Sequence, residues 1–168
     1  MNKNHEETGG KYIETFSFSV KGRPAPQGSK KHVGRGILIE VSKNVYSWRK
    51  YIKVTAKRLL PKPWHAKMGI HLEAEFLFKR PKSHYRANGE LKPLAPAHCK
   101  TRVGDLDKLV RALADALTGV AYEDDSQIIS LKATKRYARK NEHEGAIIRV
   151  ATLSHQHKQG NLRLFPPD

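Results

Sequence analysis

The chain has 168 residues and carries 32 Lys and Arg against 16 Asp and Glu, a formal net charge of +16 at pH 7. This length suits a single domain with one sizeable hydrophobic core. The positive charge predicts a polyanionic partner, with nucleic acid the first candidate and an anionic membrane surface the second. No apolar run is long enough for a membrane span, and a single cysteine excludes an intrachain disulfide. We therefore expect a cytoplasmic nucleic-acid-binding protein that does not bind membranes.

The first half of the chain predicts two strands and a helix. Alternating apolar and polar residues at 12–20 predict a half-buried strand. The basic segment 21–36, rich in proline and glycine, predicts a loop, and ILIEV at 37–41 indicates a short strand. Apolar residues at helical spacing over 47–60 then predict an amphipathic helix with a basic face.

The second half predicts a long strand, a long loop, a helix and two final strands. The strand covers 68–80 and the loop 81–104. An apolar stripe over 106–119 predicts the clearest helix, with Gly119 at its C-terminal cap. The last two strands, 127–138 and 145–153, are expected to pair with each other through a polar turn.

These elements predict an α+β fold, with a mixed β-sheet and two main helices in a single small domain. The domain is expected over residues 11–153. Polar residues at 1–10 and 154–168 predict a flexible tail at each end.

Acidic residues are concentrated in one stretch, GDLDKLVRALADALTGVAYEDDSQ, at residues 104–127. Asp105 lies at a loop-to-helix junction, so extended geometry there would let it point to the same spot as Asp107. Asp124 or Asp125 would join this pair if the strand that follows them packs beside the helix N-terminus. Three close carboxylates repel each other, and a divalent cation removes that cost. Mg²⁺ accepts such ligands and activates water beside a phosphodiester, so the stretch predicts a metal site.

A structural explanation of the same acids stays open. Asp105 is a good helix N-cap, acids in a first helical turn complement the helix dipole, and EDDS is ordinary turn chemistry. In that case the protein would be a non-catalytic, basic nucleic-acid-binding protein.

The motif GDLDKLVRALADALTG…EDDSQI resembles the RusA family of Holliday-junction resolvases, which includes many phage members. The family pattern is D-x-D-N-L-x-K, a helix ending in D-A-L, and then D-D-x-Q before a strand. Five residues of this chain fall in register with it, namely Asp105, Asp107, Asp115, Asp125 and Gln127. The resemblance implies a small mixed α/β homodimer that nicks four-way DNA junctions with Mg²⁺, for which Mn²⁺ could substitute.

The resemblance also implies residue roles. Asp105, Asp107 and Asp125 would bind the metal and act in catalysis, with Asp115 and Asp124 as supporting acids. The chain departs from the pattern at two positions, where Lys108 replaces the family's Asn and Arg111 its Lys. Arginine cannot donate a proton near neutral pH but grips phosphate well, so Arg111 is expected to contact the scissile phosphate. Alternatively, Arg111 only bridges Asp107 and Asp115 on the helix surface.

Basic residues in the two long loops and beside the acids are candidates for DNA contacts; they are Arg23, Lys30, Lys31, Lys82, Arg86 and Lys108. The expected substrate is branched DNA, resolved by paired nicks in recombination, repair or phage DNA processing. Such a protein would work at the bacterial nucleoid, encoded by phage or host. A metal-dependent nuclease acting on forks, flaps or single strands is the enzymatic alternative.

Overall fold

The computed structural model describes residues 12–28, 30–32, 38–40, 44–100 and 104–153, with the backbone alone described over 30–32 and 38–40. The strands are β1 (Tyr12–Lys21), β2 (Lys30–His32), β3 (Leu38–Glu40), β4 (Gly69–Phe78), β5 (Ile128–Tyr137) and β6 (Gly145–Leu153). The helices are α1 (Val45–Leu59) and α2 (Leu106–Leu117), with short 3-10 helices at Lys82–His84 and Asp125–Gln127. This is the predicted single α+β domain. The two predicted tails lie outside the described residues.

The main sheet is mixed and has four strands in the order β1-β6-β4-β5. β6 pairs antiparallel with both β1 and β4, whereas β5 pairs in parallel with β4 alone. The predicted pairing of the last two strands is therefore wrong, because β4 lies between them. The physical reason is composition: β6 is apolar along most of its length and suits a central position, whereas β5 contains three Lys and Arg residues, of which Lys132 is exposed, and suits an edge.

A strand inside the first basic segment pairs with the short strand that follows this segment. β2 pairs antiparallel with β3, from Lys30 opposite Glu40 to His32 opposite Leu38. The short strand predicted at 37–41 is confirmed, but the prediction of an uninterrupted loop over 21–36 is wrong at β2.

Both helices pack on the same face of the main sheet. Alternate residues of β4, from Ile70 to Phe78, point into a core that also contains Trp48 and Ile52 of α1 and Leu113 of α2. Burying each large apolar side chain contributes about 1.5–3 kcal/mol relative to leaving it exposed. The opposite face of the sheet carries polar and charged side chains, so the helices and the sheet form two layers.

The end of α2 follows the sequence prediction. Thr118 is the C-terminal cap, and Gly119 comes next with a φ of 71°. This left-handed conformation costs glycine little, which explains why the helix ends there. In the described part of the chain, no helix is long and apolar enough to cross a membrane.

Candidate functional site

The first two predicted metal ligands flank the start of α2. Asp105 occupies the N-cap position in extended geometry, with φ −71° and ψ 144°, as the sequence predicted for this junction. Its carboxylate accepts no capping hydrogen bond from the helix. The Asp105 side chain is instead 69% exposed, and its Oδ2 lies 2.8 Å from Nζ of Lys108. Its carboxylate is therefore not used as the cap that the structural explanation requires.

Lys108 interacts with both acids at this end of the helix. Its hydrogen bond to Asp105, and then its charge, lower the pKa of the Asp105 carboxyl. Asp105 in turn raises the pKa of Lys108, and Asp107 adds a smaller effect in the same direction. An ammonium group thus faces two carboxylates. Lys108, predicted to bind DNA, forms an ion pair with Asp105 in the structure.

The start of α2 is held by two neighbouring segments, the one that follows β1 and the end of β5. The Lys108 carbonyl accepts a 3.0 Å hydrogen bond from the Gln27 backbone N–H. The Gly104 carbonyl accepts one of 2.9 Å from Nζ of Lys135 in β5. Gly104 has a φ of 116°, and an added Cβ would lie 2.7 Å from Cγ of Pro26, so only glycine fits. These contacts place the segment that follows β1 beside Asp105 and Asp107.

Asp115 and Asp125 lie near the other end of α2. Oδ2 of Asp115 is 3.4 Å from an Nη of Arg49, which joins the two helices. Between the two acids lies Tyr122, whose hydroxyl donates a 2.9 Å hydrogen bond to the Ala114 carbonyl. Burial first, and then the charges of Asp125 and Asp115, raise the pKa of Tyr122. Both carboxylates are thus close enough to act on one buried hydroxyl.

Asp124 has a structural task. Its carboxylate accepts a 2.9 Å hydrogen bond from the Ser126 N–H, and the Gln127 side chain accepts bonds from the N–H groups of Glu123 and Asp124. Together these bonds form a capping box for the 3-10 helix. Asp125 takes no part in the box and is exposed.

The fold places Asp125 far from the first two acids within one chain. α2 has 12 residues, so its two ends are roughly 16–18 Å apart. β5 begins beside the end of α2 and reaches the start of α2 only near its own last residues, at Lys135. The condition under which Asp125 would join Asp105 and Asp107 is therefore not met within one chain. Among the described residues, no three His, Cys, Asp or Glu side chains form a group able to hold a metal.

Arg111 remains available for a ligand. It is exposed, and within the described ranges it forms no ion pair. The alternative in which it bridges Asp107 and Asp115 is not observed, because Asp115 pairs with Arg49.

The other predicted DNA contacts differ in their exposure and in their partners. Arg23 is exposed in the segment that contacts the start of α2. Lys82 is exposed in the first 3-10 helix, whereas Arg86 lies 3.7 Å from Glu90. Lys30 and Lys31 lie in β2, where side chains are not described.

Sequence reasoning missed a small hairpin inside the second loop. Tyr85 forms a β-bridge with Leu91, and the Arg86 N–H donates a 2.8 Å bond to the Glu90 carbonyl. The Asn88-Gly89 pair, with φ of 82° at Gly89, is a signal that could have found it.

The fold and the site together define a class: a small, basic α+β domain with exposed carboxylates at the start of a helix. Residues 21–150 match the model of the family described as "Endodeoxyribonuclease RusA". The chain belongs to the RusA endodeoxyribonuclease family, which confirms the resemblance and indicates a nuclease. RusA family nucleases are in general metal-dependent.

A curated relative has no assigned activity. The uncharacterized protein YqaN of Bacillus subtilis (strain 168) is 24% identical over 138 residues, which cover 76% of this chain and 92% of the relative.

Proposed function

We propose that this protein is a metal-dependent endodeoxyribonuclease that resolves Holliday junctions as a homodimer, by paired nicks. The observation that carries the proposal is the pair of exposed carboxylates around one cationic group at the start of α2, in a chain of the RusA family.

The residues at this position fit a hard divalent cation. Asp105 and Asp107 offer carboxylate oxygens at a spot that already accommodates a positive charge, the Lys108 ammonium. Mg²⁺ prefers one or two carboxylates together with waters and phosphate oxygens, and Mn²⁺ suits similar ligands. When bound, such an ion would supply an activated water and stabilise the leaving oxygen of the phosphodiester.

The chain's own cations would orient the DNA strand. Arg111 lies one helical turn after Asp107 and forms no ion pair in the described structure, so its guanidinium can hold the scissile phosphate with two parallel hydrogen bonds. Arg23, in the segment that contacts the start of α2, can bind a neighbouring phosphate.

A second copy of the chain would complete the acidic site. In the described sheet, β5 pairs on one side only, and its Ile129 and Leu131 are 68% and 51% exposed. An edge with exposed apolar side chains favours pairing with another strand. Antiparallel pairing of β5 with its copy would bring the start of the partner's strand to the end of β5, beside Asp105 and Asp107. Asp125, which precedes β5, would then enter the site of the other subunit.

This arrangement also accounts for two cuts. A twofold axis through the paired strands would create two identical sites, each with Asp105 and Asp107 from one subunit and Asp125 from the other. Two related sites suit the two opposed strands of a four-way junction.

Cleavage of a labelled synthetic four-way junction tests the activity. A linear duplex and a fork of matched sequence are run beside it, with Mg²⁺ or with EDTA, for wild type and Asp107→Asn. We expect paired, Mg²⁺-dependent nicks in the junction alone, and loss of nicking but not of junction binding in the variant. Cutting of every substrate would withdraw the junction selectivity. DNA binding without any cutting would make this a binding protein.

Mixing two inactive variants tests the shared site. Asp107→Asn and Asp125→Asn subunits, co-expressed with different tags, form mixed dimers in which one site is intact and the other lacks both acids. We expect random mixing to restore about one quarter of wild-type nicking, because half of the dimers are mixed. If both acids instead belong to one chain's site, no mixed dimer has an intact site and activity stays lost.

A further inference from the structure

The outward face of α1 is basic and aromatic. Helical spacing turns six polar or aromatic side chains away from the core; they are Tyr46, Lys50, Tyr51, Lys53, Lys57 and Arg58. Tyr46 is 74% exposed and Tyr51 is 50% exposed. The opposite side of the same helix is buried through Trp48, Ile52 and Ala56. The six side chains therefore form a surface that contributes little to the core.

Among the side chains that the structure describes, the cations of this surface have no acidic partners. The sequence contains no Asp or Glu between Glu40 and Glu73. Across the part of the chain that the structure describes, α1 makes one ion pair, from Arg49 to Asp115, and Arg49 lies on the side of the helix that faces α2. Four exposed cations in adjacent turns repel each other, so the surface is unfavourable until an anion covers it.

The length and chemistry of the surface match a nucleic-acid backbone. From Tyr46 to Arg58 the helix extends about 18 Å, which corresponds to roughly five phosphates of one strand along a duplex axis. The ammonium group of lysine, the guanidinium group of arginine and the hydroxyl group of tyrosine all donate hydrogen bonds to phosphate oxygens. The same face of a second copy would bring like charges together, which excludes a symmetric contact through α1.

The basic surface of α1 lies on a helix that contacts the acid-bearing helix α2. The contact between Arg49 and Asp115 joins the first half of α1 to the last turn of α2, at the end where Asp125 lies. We propose that the outward face of α1 binds the phosphate backbone of a duplex DNA arm that leads away from the cleavage site. The inference rests on the proposed function for the DNA substrate but does not require the cleavage chemistry.

A charge-neutralising variant tests this surface. Lys50, Lys53, Lys57 and Arg58 are all changed to Gln, which has a similar helix propensity, so α1 is expected to stay folded. Binding of a labelled four-way junction is measured in EDTA, where no cleavage is needed, over a series of salt concentrations. We expect weaker binding, and a slope of log affinity against log salt that is shallower by about 3 to 4, since each lost phosphate contact contributes about 0.9. The double variant Lys50→Gln/Lys53→Gln should show about half of this change in slope.

A matched variant distinguishes the loss of the α1 surface from the loss of four positive charges elsewhere on the protein. Lys21, Lys79, Arg139 and Lys140 are exposed in the described structure and make no side-chain ion pairs. Changing these four to Gln removes the same charge and should leave the wild-type slope. Equal slopes in the two fourfold variants, or wild-type binding by the α1 variant, would overturn the inference. Wild-type protein that binds but cleaves nothing would refute the proposed nuclease, while the α1 comparison would still be decided by its slopes.

Discussion

The two helices lie side by side on one face of the sheet and differ in their charged residues. α2 places Asp107 in its first turn and Asp115 in its last, with Asp105 at its N-cap. α1 contains five Lys and Arg residues and no acid. In the described chain, a single ion pair, from Arg49 to Asp115, joins the two sets of charges. A chain with a net charge of +16 therefore concentrates six of its 16 acids at, on and just after one helix, and its neighbouring helix has only cations.

This separation of charges fits two different roles, metal binding at α2 and phosphate binding at α1. A metal site must hold carboxylates together against their repulsion, whereas a phosphate-binding surface needs cations without acid partners. Combining the two on one helix would pair the charges with each other, as Lys108 pairs with Asp105. The contrast predicts that changes near α2 alter chemistry and changes on α1 alter affinity.

The largest effect is expected from two neighbouring acids that differ in their task. Asp125→Ala should lower junction cleavage by more than 100-fold, since even groups that only support a metal ligand typically contribute about 10–100-fold. The melting temperature should hardly change, because Asp125 is exposed and takes no part in the capping box. Single-turnover cleavage rates and thermal melting curves measure the two effects.

Asp124→Ala is the matched control, because it removes the same group one position earlier. It should retain most of the cleavage rate but melt at a lower temperature than wild type, because it loses the cap of the 3-10 helix. If the two variants instead showed the same loss of cleavage at unchanged stability, Asp124 would share the metal site and the distinction drawn from the capping box would be wrong.

A smaller effect is expected when Lys108 is replaced by the Asn of the family pattern. Lys108→Asn removes the ammonium that holds the Asp105 carboxylate. The pKa of Asp105, lowered by that contact, should rise toward its ordinary value of 3.8. It would still be ionised at neutral pH, so the carboxylate becomes free for a metal without losing its charge. We expect half-maximal cleavage at a severalfold lower Mg²⁺ concentration.

Lys108→Arg keeps the positive charge and serves as the control, with a Mg²⁺ requirement close to that of wild type. Titration of the Asp105 carboxyl by NMR checks the cause, because its pKa should be higher in Lys108→Asn than in wild type. A higher Mg²⁺ requirement in Lys108→Asn would show that Lys108 assists catalysis instead of competing for Asp105.

The sequence predicted the elements better than their arrangement. The stripe from Leu106 to Leu117 and the glycine after it gave α2 almost to the residue, because helical periodicity and capping are local. Strand pairing is not local. β5 and β6 are consecutive, yet β6 inserts between β1 and β4, where most of its apolar residues are buried while Ile147 and Arg149 stay exposed.

The candidate site shows the same limit. The sequence predicted Asp105 at the junction before the helix and Asp107 in its first turn, where the structure has them. The position of Asp125 depends on which end of β5 meets the start of α2, and the answer lies in the contact of Lys135 with the Gly104 carbonyl, 31 residues apart in sequence. The periodicity of the sequence does not predict which end of β5 meets the start of α2. The unpaired edge of β5 likewise becomes visible only when the strand order is known.

The smallest effect concerns the ion pair between the two helices. Arg49 and Asp115 are 37% and 27% exposed, so a double-mutant cycle on unfolding free energy should give a coupling of about 0.3–1 kcal/mol. The cleavage rate should differ between the two single variants. Asp115→Ala lowers the rate if Asp115 supports the metal site. Arg49→Ala should not lower it, because the Asp115 carboxylate remains and loses only its ion pair. Urea unfolding and single-turnover rates measure these quantities. Equal slowing by both changes would mean that Arg49 positions Asp115. In that case α1, the helix proposed to bind DNA, would also contribute to cleavage through an acid of α2.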